Sequence, residues 1–156
     1  MRWTWAAYPV LGILFVALLA ITVGLYVHPA QTSPVAGSST VRTVEIKGQK
    51  VRVAVADTDA LRRKGLGGRE NLAHDEGMLF MFPDDGRYAF WMKDMRFSID
   101  IVWLSAGGEV VDVAQNISPD TYPNVFTPAR AARYVLELPA GWTEEYTVRP
   151  GDIVRL

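Results

Sequence analysis

The sequence predicts a mainly β fold, a compact barrel or sandwich with one or two short helices, preceded by one transmembrane α-helix. One supporting observation is an uncharged, almost purely apolar stretch over residues 8–27. The other is the alternation of apolar and polar residues beyond Thr40, in short runs separated by turn residues, which is typical of half-buried strands. The chain has 156 residues, so the part beyond Thr40 suffices for one hydrophobic core.

The apolar stretch predicts a membrane anchor. About 20 apolar residues in a helix span about 30 Å, the thickness of the hydrocarbon core of a bilayer. Arg2 and the α-amino group are the nearest positive charges, and both precede the stretch. The positive-inside rule therefore predicts residues 1–7 as a short cytoplasmic N-terminus and 8–27 as a single-pass helix in the cytoplasmic membrane. It places the following domain outside the cytoplasm.

The apolar stretch has two other interpretations, a cleaved signal peptide and a buried helix of a soluble domain. The apolar region of a signal peptide is usually about 7–15 residues long, and this stretch is longer. A cleavage site also requires small residues, whereas His28 and Pro34 stand at the matching positions before Ala30 and Ala36. An uncleaved anchor is therefore favoured.

The segment after the anchor divides into a linker and a domain. Residues 28–40 are rich in Pro, Gly and Ser and predict a flexible linker. A globular β-rich domain is predicted over 41–156. It begins with a hairpin in which residues 41–47 and 50–56 alternate apolar and polar side chains on either side of Gly48.

The next segment, 57–65, contains residues that are typical of helix ends. Asp57 or Thr58 can cap the start of a short helix, three cationic residues fill its last turn, and Gly65 can end it. The remaining strands are predicted at 77–82, 87–93, 97–104, 109–115, 133–138 and 153–156.

Turn residues separate these strands. Pro83-Asp84-Asp85-Gly86 predicts a turn, and Ser105-Ala106-Gly107-Gly108 predicts the clearest hairpin. Residues 116–132 predict a long irregular loop, which is often functional in a small domain. Residues 143–148 predict a helical turn.

Several short motifs follow one another along the domain in a recognisable order. They are Val55-Ala56-Asp57-Thr58, Gly77-Met78-Leu79-Phe80-Met81-Phe82-Pro83, Phe90-Trp91-Met92-Lys93 and Tyr134-Val135-Leu136-Glu137-Leu138-Pro139-Ala140-Gly141. With them, about residues 50–156 resemble the domain of unknown function 192 family of small prokaryotic proteins. The resemblance implies a barrel-like β fold and no established activity. Asp94 stands where the family commonly has Asn, and Ser98 where it often has Pro.

Aromatic and charged residues concentrate around Phe90–Asp94 and predict a ligand pocket. The candidate ligand-binding residues are Arg69, Phe82, Trp91, Lys93, Asp94, Asp100 and Glu137. Asp100 shares a strand face with apolar residues, so its carboxylate requires a partner, for which Lys93 and Arg69 are candidates. The other interpretation of the cluster is a set of core aromatics with one structural ion pair.

Other functional classes are less well supported. The chain has no cysteine, which excludes disulfides, thiolate metal sites and a cysteine nucleophile. Its formal net charge of −1 gives no general attraction to nucleic acid. The adjacent residues His74-Asp75-Glu76 point in alternating directions on an extended chain and form a poor metal site. We expect no cofactor. The glycines at 65, 67 and 68, followed by Arg69, form either an anion site or a helix-terminating loop.

The favoured function is a non-enzymatic binding or accessory module at the outer face of the membrane. Its expected partners are the lipid bilayer through residues 8–27 and a small molecule, a glycan or other envelope polymer, or a protein segment. One alternative is a hydrolase of envelope material that uses Asp100 and Glu137. Another is a structural assembly module that meets its partner through Tyr122, Val125 and Phe126 of the predicted loop.

Overall fold

The computed structural model describes residues 40–156. The predicted anchor, 8–27, and the predicted linker up to residue 39 lie outside the described residues. Within 40–156 the two α-helices have six and four residues, and no helix there is long and apolar enough to cross a bilayer.

The described domain is mainly β with two short α-helices, as predicted. Its strands are β1 (Val41–Ile46), β2 (Gln49–Ala56), β3 (Glu76–Gly86), β4 (Phe90–Trp91), β5 (Ile99–Leu104), β6 (Val110–Ile117), β7 (Val125–Phe126), β8 (Ala132–Pro139) and β9 (Val154–Arg155). The helices are α1 (Asp59–Lys64) and α2 (Trp142–Glu145), and Pro119–Thr121 forms a 3₁₀ turn. Seven strands form one sheet in the order β6-β5-β8-β3-β2-β1-β9, while β4 and β7 pair separately.

The sheet curls so that its two edge strands approach each other. Glu109 and Ile153 form an antiparallel bridge just outside β6 and β9. The amide of Val154 donates to the carbonyl of Gly108, and the amide of Val110 donates to the carbonyl of Asp152, both at 2.8 Å. One curled sheet is therefore present, which matches the barrel-like alternative and excludes a two-sheet sandwich for this domain.

Both predicted hairpins are confirmed. The turn between β1 and β2 uses Lys47 and Gly48 at φ 53 and 77, the left-handed values that a two-residue hairpin turn requires. Strands β5 and β6 pair around the segment containing Gly108, with register shifts between Ile99 and Ile101 and between Trp103 and Leu104. Burial alternates at the start of β2, whereas all six residues of β5 are buried, so the β5–β6 hairpin was predicted from its turn residues and apolar runs.

Three predicted boundaries are wrong. Strand β3 continues through Pro83 to Gly86, where the sequence predicts a turn. Its pairing with β8 breaks between Met81 and Gly86 and resumes at Gly86, so Pro83 lies in an irregular stretch that needs no ladder amide from it. The strand predicted at 87–93 is reduced to Phe90–Trp91, and the loop predicted at 116–132 holds the end of β6, the 3₁₀ turn and β7.

Apolar residues pack on both faces of the curled sheet. The inner cluster takes buried side chains from all seven strands of the sheet and from Trp142 and Val148. The outer cluster lies on the other face, where Leu66 and Met92 from the connecting segments cover β3, β5 and β8. Because its cover consists of α1, loops and the β4–β7 pair, the outer face is where a cleft can form.

A cleft on the outer face of the sheet

A cleft of about 560 Å³ lies between α1, the end of β3 and the segment 88–95. Its lining combines aromatic side chains, charged side chains and the loop that ends α1. The lining residues are Asp59, Arg62, Arg63, Lys64, Gly65, Leu66, Gly67, Phe80, Phe82, Tyr88, Ala89, Phe90, Trp91, Lys93, Asp94, Met95 and Glu137. A volume of this size is typical of a small-molecule site.

Helix α1 forms one wall and is fixed at both ends. The hydroxyl of Thr58 accepts from the amide of Leu61 at 3.3 Å and caps the helix, one of the two caps predicted. Gly65 ends it with φ 51. The guanidinium of Arg62 donates to the carbonyls of Asp57 and Met81 at 2.7 and 2.6 Å, which ties the helix to β3.

Aromatic side chains form the opposite wall. Phe82 stacks on Tyr88 with ring centroids 3.5 Å apart, and Phe80 meets Phe90 edge to face at 4.8 Å. The indole nitrogen of Trp103 donates to the carbonyl of Tyr88 at 3.0 Å, so the segment is anchored to β5 beneath it. The wall therefore presents ring surface in a fixed geometry.

A turn at Lys93 and Asp94 closes one end of the cleft. Asp94 has φ 58, a left-handed conformation in which Asn and Asp are the best tolerated residues after glycine. Asp94 therefore meets a backbone requirement that Asn would also meet, and it adds a negative charge. The carbonyl of Asp94 accepts from the amide of Gly68 at 2.9 Å, which joins this turn to the loop after α1.

The loop after α1 ends the helix, which confirms one of the two interpretations of its glycines, and its backbone does not form the anion-binding nest of the other. The amides of Gly65, Gly67, Gly68 and Arg69 donate to the carbonyls of Leu61, Lys64, Asp94 and Leu66, respectively. Since all four donors are occupied within the protein, they have no free N–H group for an anion.

Glu137 lies at the inner end of the cleft. It is on β8 opposite Met78 of β3 and Ile101 of β5, is 5% exposed, and lines the cleft. Its Oε2 has no hydrogen-bond partner among the described residues. Burial raises the pKa of the Glu137 carboxyl to about 8, and the positive charge of Arg69 opposes this rise.

Asp100 lies on the opposite face of the sheet, and its predicted partners are wrong. It pairs in register with Leu138 of the inner cluster and is fully buried. Its carboxylate accepts from the amides of Asn116, Gly141 and Thr143 at 2.8, 3.1 and 2.8 Å, and from the hydroxyl of Thr143 at 2.6 Å. Lys93 and Arg69 make no hydrogen bond to it.

The opposite placement of Asp100 and Glu137 also overturns the hydrolase alternative. Glu137 shares a face with Ile101 of the outer cluster, whereas Asp100 shares a face with Leu138 of the inner cluster. A glycosidase pair must flank one scissile bond within a single cleft. These two carboxyls are separated by the sheet itself.

Unpaired cations surround the mouth of the cleft. Arg63, Lys64 and Lys93 line it, and none of them forms an ion pair within residues 40–156, whereas Arg62 pairs with Asp59 at 2.5 Å. Arg69 lines a smaller adjoining cleft of about 330 Å³ that shares Lys64, Gly65 and Gly67 with the first. The mouth of the cleft is therefore positively charged, and aromatic side chains line its interior.

The structure brings most of the predicted site residues together. Phe82, Trp91, Lys93, Asp94 and Glu137 line the cleft, Arg69 lines the adjoining one, and Asp100 lines neither. The sequence reasoning missed the contribution of α1. Its run of cations was visible, but the packing of that helix beside the aromatic segment depends on contacts between residues far apart in the chain.

The other candidate residues have different surroundings. Nε2 of His74 lies 2.9 Å from a carboxylate oxygen of Glu145, while Asp75 and Glu76 both contact Arg52. Within residues 40–156 no group of three possible ligands for a metal ion is present.

The predicted assembly residues lie beside the cleft. Tyr122 and Val125 are 46% and 58% exposed, and Phe126 packs against the outer cluster. Trp91, which is 53% exposed, pairs with Val125 and lies 6.0 Å from the ring of Tyr122. These three exposed side chains form one apolar patch next to the mouth.

Comparison with known proteins places this domain among uncharacterised relatives. The sequence model of the DUF192 family, described as "Uncharacterized ACR", matches residues 42–156. UPF0127 proteins of Thermococcus kodakarensis and Thermococcus gammatolerans are 30% and 32% identical over 105 and 104 residues, which are 66% and 65% of this chain. The aligned part spans 63% and 64% of their lengths, less than two thirds of either.

A solved structure has the same fold. A protein of unknown function from Novosphingobium aromaticivorans is 28% identical with a TM-score of 0.72, over 79% of this chain and 89% of that one. A protein of Sinorhizobium meliloti, provisionally described as a transcription regulator, is 27% identical with the same TM-score, over 76% of this chain and 95% of that one.

Proposed function

The chain belongs to the DUF192 family, and on that premise we propose that its domain binds a small, partly apolar organic anion in the outer-face cleft. The supporting observation is that aromatic walls and cations without an ion-pair partner among residues 40–156 meet in one cavity of about 560 Å³. The rings of Phe82 and Phe90 offer apolar surface to the body of a ligand. Lys93 and its neighbours at the mouth attract its anionic group.

Binding rather than catalysis is favoured by the chemistry of the cleft. Glu137 is the one carboxyl at the inner end of the described cleft, and no histidine, serine or threonine lines that cleft. The one hydroxyl in the lining, that of Tyr88, donates to the carbonyl of Asp84 at 2.6 Å. Acid–base or nucleophilic catalysis normally requires a second positioned group. Nucleic acid is not the proposed ligand, because the formal net charge of −1 provides no general attraction to it.

Calorimetric titration of the purified full chain with 4-isopropylbenzoate and with neutral 4-isopropylbenzyl alcohol tests the proposal. We expect the anion to bind more tightly than the alcohol. Lys93→Gln should weaken anion binding about threefold to tenfold, and Asp94→Asn, which keeps the turn conformation, should strengthen it.

Lys50→Gln is the matched control, because Lys50 is an exposed lysine of β2 that does not line the cleft. Equal losses of anion affinity in the Lys93 and Lys50 variants would show that net charge alone, and not the position of Lys93, determines the affinity. Failure of both aryl ligands to bind at millimolar concentration would refute the proposed function.

We also propose that the domain acts at the outer face of the cytoplasmic membrane, tethered by residues 8–27. The support is the length and apolar character of that stretch and the position of Arg2 before it. Protease treatment of intact spheroplasts should degrade the domain, and alkaline carbonate should leave the full chain in the membrane fraction. Degradation only after lysis would place the domain on the other side.

A second candidate function, assembly with another copy of this chain, is favoured by one observation. Trp91, Tyr122 and Val125 form a contiguous exposed apolar patch, and such patches often mark interfaces. Sedimentation of the full chain should then show self-association that Val125→Lys abolishes. A concentration-independent monomer would exclude this candidate and leave the cleft proposal unaffected.

A further inference from the structure

One carboxyl oxygen of Glu137 accepts no hydrogen bond from the residues that the structure describes. Its side chain is 5% exposed and lines the cleft, and its Oε2 lacks a hydrogen-bond partner in the part of the chain that the structure describes. Asp100, the other buried carboxylate of the described residues, accepts four hydrogen bonds. A buried polar group without a partner destabilises the folded state, so its retention at the inner end of a cavity points to a partner supplied from outside.

The surroundings of Glu137 decide what that partner is. Its register neighbours Met78 and Ile101, on β3 and β5, are apolar. The charged groups of the two clefts come from α1, from the loop after it and from the turn at the mouth. They are the cations Arg62, Arg63, Lys64, Arg69 and Lys93 and the anions Asp59 and Asp94.

Two kinds of ligand group could satisfy Glu137. An ammonium group would pair with the ionised carboxylate, whereas a carbonyl or ether oxygen would accept the proton of the neutral carboxyl. Burial raises the pKa of Glu137 to about 8, so the neutral form predominates at pH 7. Five cations against two anions also oppose the entry of another positive group.

We propose that the cleft selects anions that bear a hydrogen-bond acceptor at their opposite end, and that the carboxyl of Glu137 recognises this acceptor by donating its proton to it. The inference rests on the proposed function and defines the ligand class further. The anionic group remains at the cationic mouth beside Lys93, the apolar body lies against the aromatic wall, and the acceptor reaches Glu137.

Three aryl carboxylates of similar shape test this assignment on the full chain by calorimetric titration at pH 6.5. The probe 4-acetylbenzoate carries an acceptor, 4-isopropylbenzoate replaces it with an apolar group, and 4-(aminomethyl)benzoate replaces it with a cationic donor. We expect 4-acetylbenzoate to bind about threefold to tenfold more tightly than 4-isopropylbenzoate, which corresponds to one net hydrogen bond. We expect 4-(aminomethyl)benzoate to bind most weakly.

The pH dependence and two variants identify the group responsible. The preference for the acetyl over the isopropyl probe should disappear as the pH is raised from 6.5 to 9.5, because ionised Glu137 has no proton to donate. Glu137→Gln retains an N–H donor, so it should keep the preference at both pH values. Glu137→Leu should lose it at both.

The outcomes separate the inference from the proposed function. If the acetyl and isopropyl probes bind equally well, the role of Glu137 is refuted while anion binding in the cleft stands. If 4-(aminomethyl)benzoate binds most tightly, Glu137 acts as a carboxylate and the ligand class is wrong. If none of the probes binds, the proposed function fails and the inference fails with it.

Discussion

Asp100 and Glu137 occupy adjacent rungs of the β5–β8 pairing, yet their carboxyls meet opposite environments. Asp100 points to the inner cluster and accepts three backbone amides and a hydroxyl. Glu137 points to the outer face, where Oε2 has no partner among the described residues. The first carboxylate therefore fixes the end of β6 at Asn116 to the turn at Gly141, and the second remains available in the cleft at a cost in stability.

Replacing Glu137 with Gln should make the folded domain less sensitive to pH. Burial raises the pKa of Glu137 from 4.5 to about 8, so the neutral form is favoured in the folded state. Its stabilising effect is complete below pH 4.5 and is lost as the pH rises to 8. The unfolding free energy of Glu137→Gln relative to wild type should therefore increase by about 1.4 kcal/mol per pH unit across this window. Urea denaturation at several pH values measures it.

The control for this experiment is Glu76→Gln. Glu76 is a partly exposed carboxylate of β3 that pairs with Arg52 at 3.0 Å. Its substitution should leave the slope between pH 5 and 8 unchanged. Parallel pH profiles for wild type and Glu137→Gln would show that Glu137 is solvated in the folded state.

Replacing Asp100 with Asn should destabilise the domain at pH 7, the opposite sign to Glu137→Gln. The side chain of Asn has an NH₂ group where Asp100 has a carboxylate oxygen. At least one buried N–H group therefore loses its acceptor. The expected loss is about 3 kcal/mol, measured by urea denaturation. Thr143→Ser keeps the hydroxyl that bonds Asp100 and should cost less than about 1 kcal/mol; a similar loss in both variants would contradict this account.

Asp100 shows which part of the site could not be predicted from the sequence. The positions of residues along β5 correctly placed Asp100 among apolar residues. The expectation that its buried carboxylate would have hydrogen-bond partners was also correct. The partners themselves are backbone amides of Asn116, Gly141 and Thr143. A search for complementary side chains such as Lys93 could not find them, because backbone donors have no signature in the sequence.

At the scale of elements, one side chain of α1 makes several polar contacts that fix the helix beside β3. Arg62 bonds the carbonyls of Asp57 and Met81, pairs with Asp59, and lies 5.3 Å from the centre of the Phe82 ring. Planar guanidinium groups make such multiple contacts and ammonium groups do not. Together with Leu61, which packs against the outer cluster, this arginine positions the helix against the aromatic wall.

Substituting Arg62 with Lys should loosen α1 while preserving the charge. We expect a loss of about 1–3 kcal/mol in unfolding free energy and faster amide exchange in α1, which hydrogen-exchange mass spectrometry measures. Arg63→Lys is the matched control on the same helix, since Arg63 is exposed and forms no ion pair within 40–156. Equal exchange in the two variants would show that the helix is held by other contacts.

Element prediction succeeded where the pattern was local. Short apolar runs that flank turn residues defined β1, β2, β5 and β6, and Thr58 with Gly65 defined α1. It failed at Pro83, because the partner strand β8, about 50 residues away, resumes its pairing with β3 beyond the proline. Long-range pairing of this kind overrides local turn preference.

At the scale of the whole molecule, the cleft is assembled from segments that the chain keeps apart. Helix α1, the aromatic segment 88–95 and β8 converge because β3 lies between β2 and β8 in the sheet. The family resemblance indicated which segments carry the candidate site residues. The strand order brings those segments close together. The strand order depends on contacts that single-sequence patterns do not contain, so the inclusion of Glu137 and the exclusion of Asp100 emerge only from the fold.

Closure of the curled sheet depends on Gly108, and this yields a prediction for the whole domain. A Cβ at Gly108 would lie 2.4 Å from the carbonyl oxygen of Val154, whereas a Cβ at Gly48 would meet nothing within 4 Å. Both glycines have positive φ, 81 and 77. Gly48→Ala should therefore cost only the left-handed strain of about 1–2 kcal/mol, while Gly108→Ala should cost a further 1–3 kcal/mol or so from overlap.

The two alanine variants share the same change in the unfolded chain, so their difference isolates the contact between the edge strands. In Gly108→Ala the amides of Val154 and Val110, which bond across the closure, should lose protection from hydrogen exchange. The amides of β8 at the centre of the sheet should keep theirs. Equal unfolding free energies for the two variants would mean that the edges separate without cost, and the domain would then behave as an open sheet whose outer-face cleft is independent of closure.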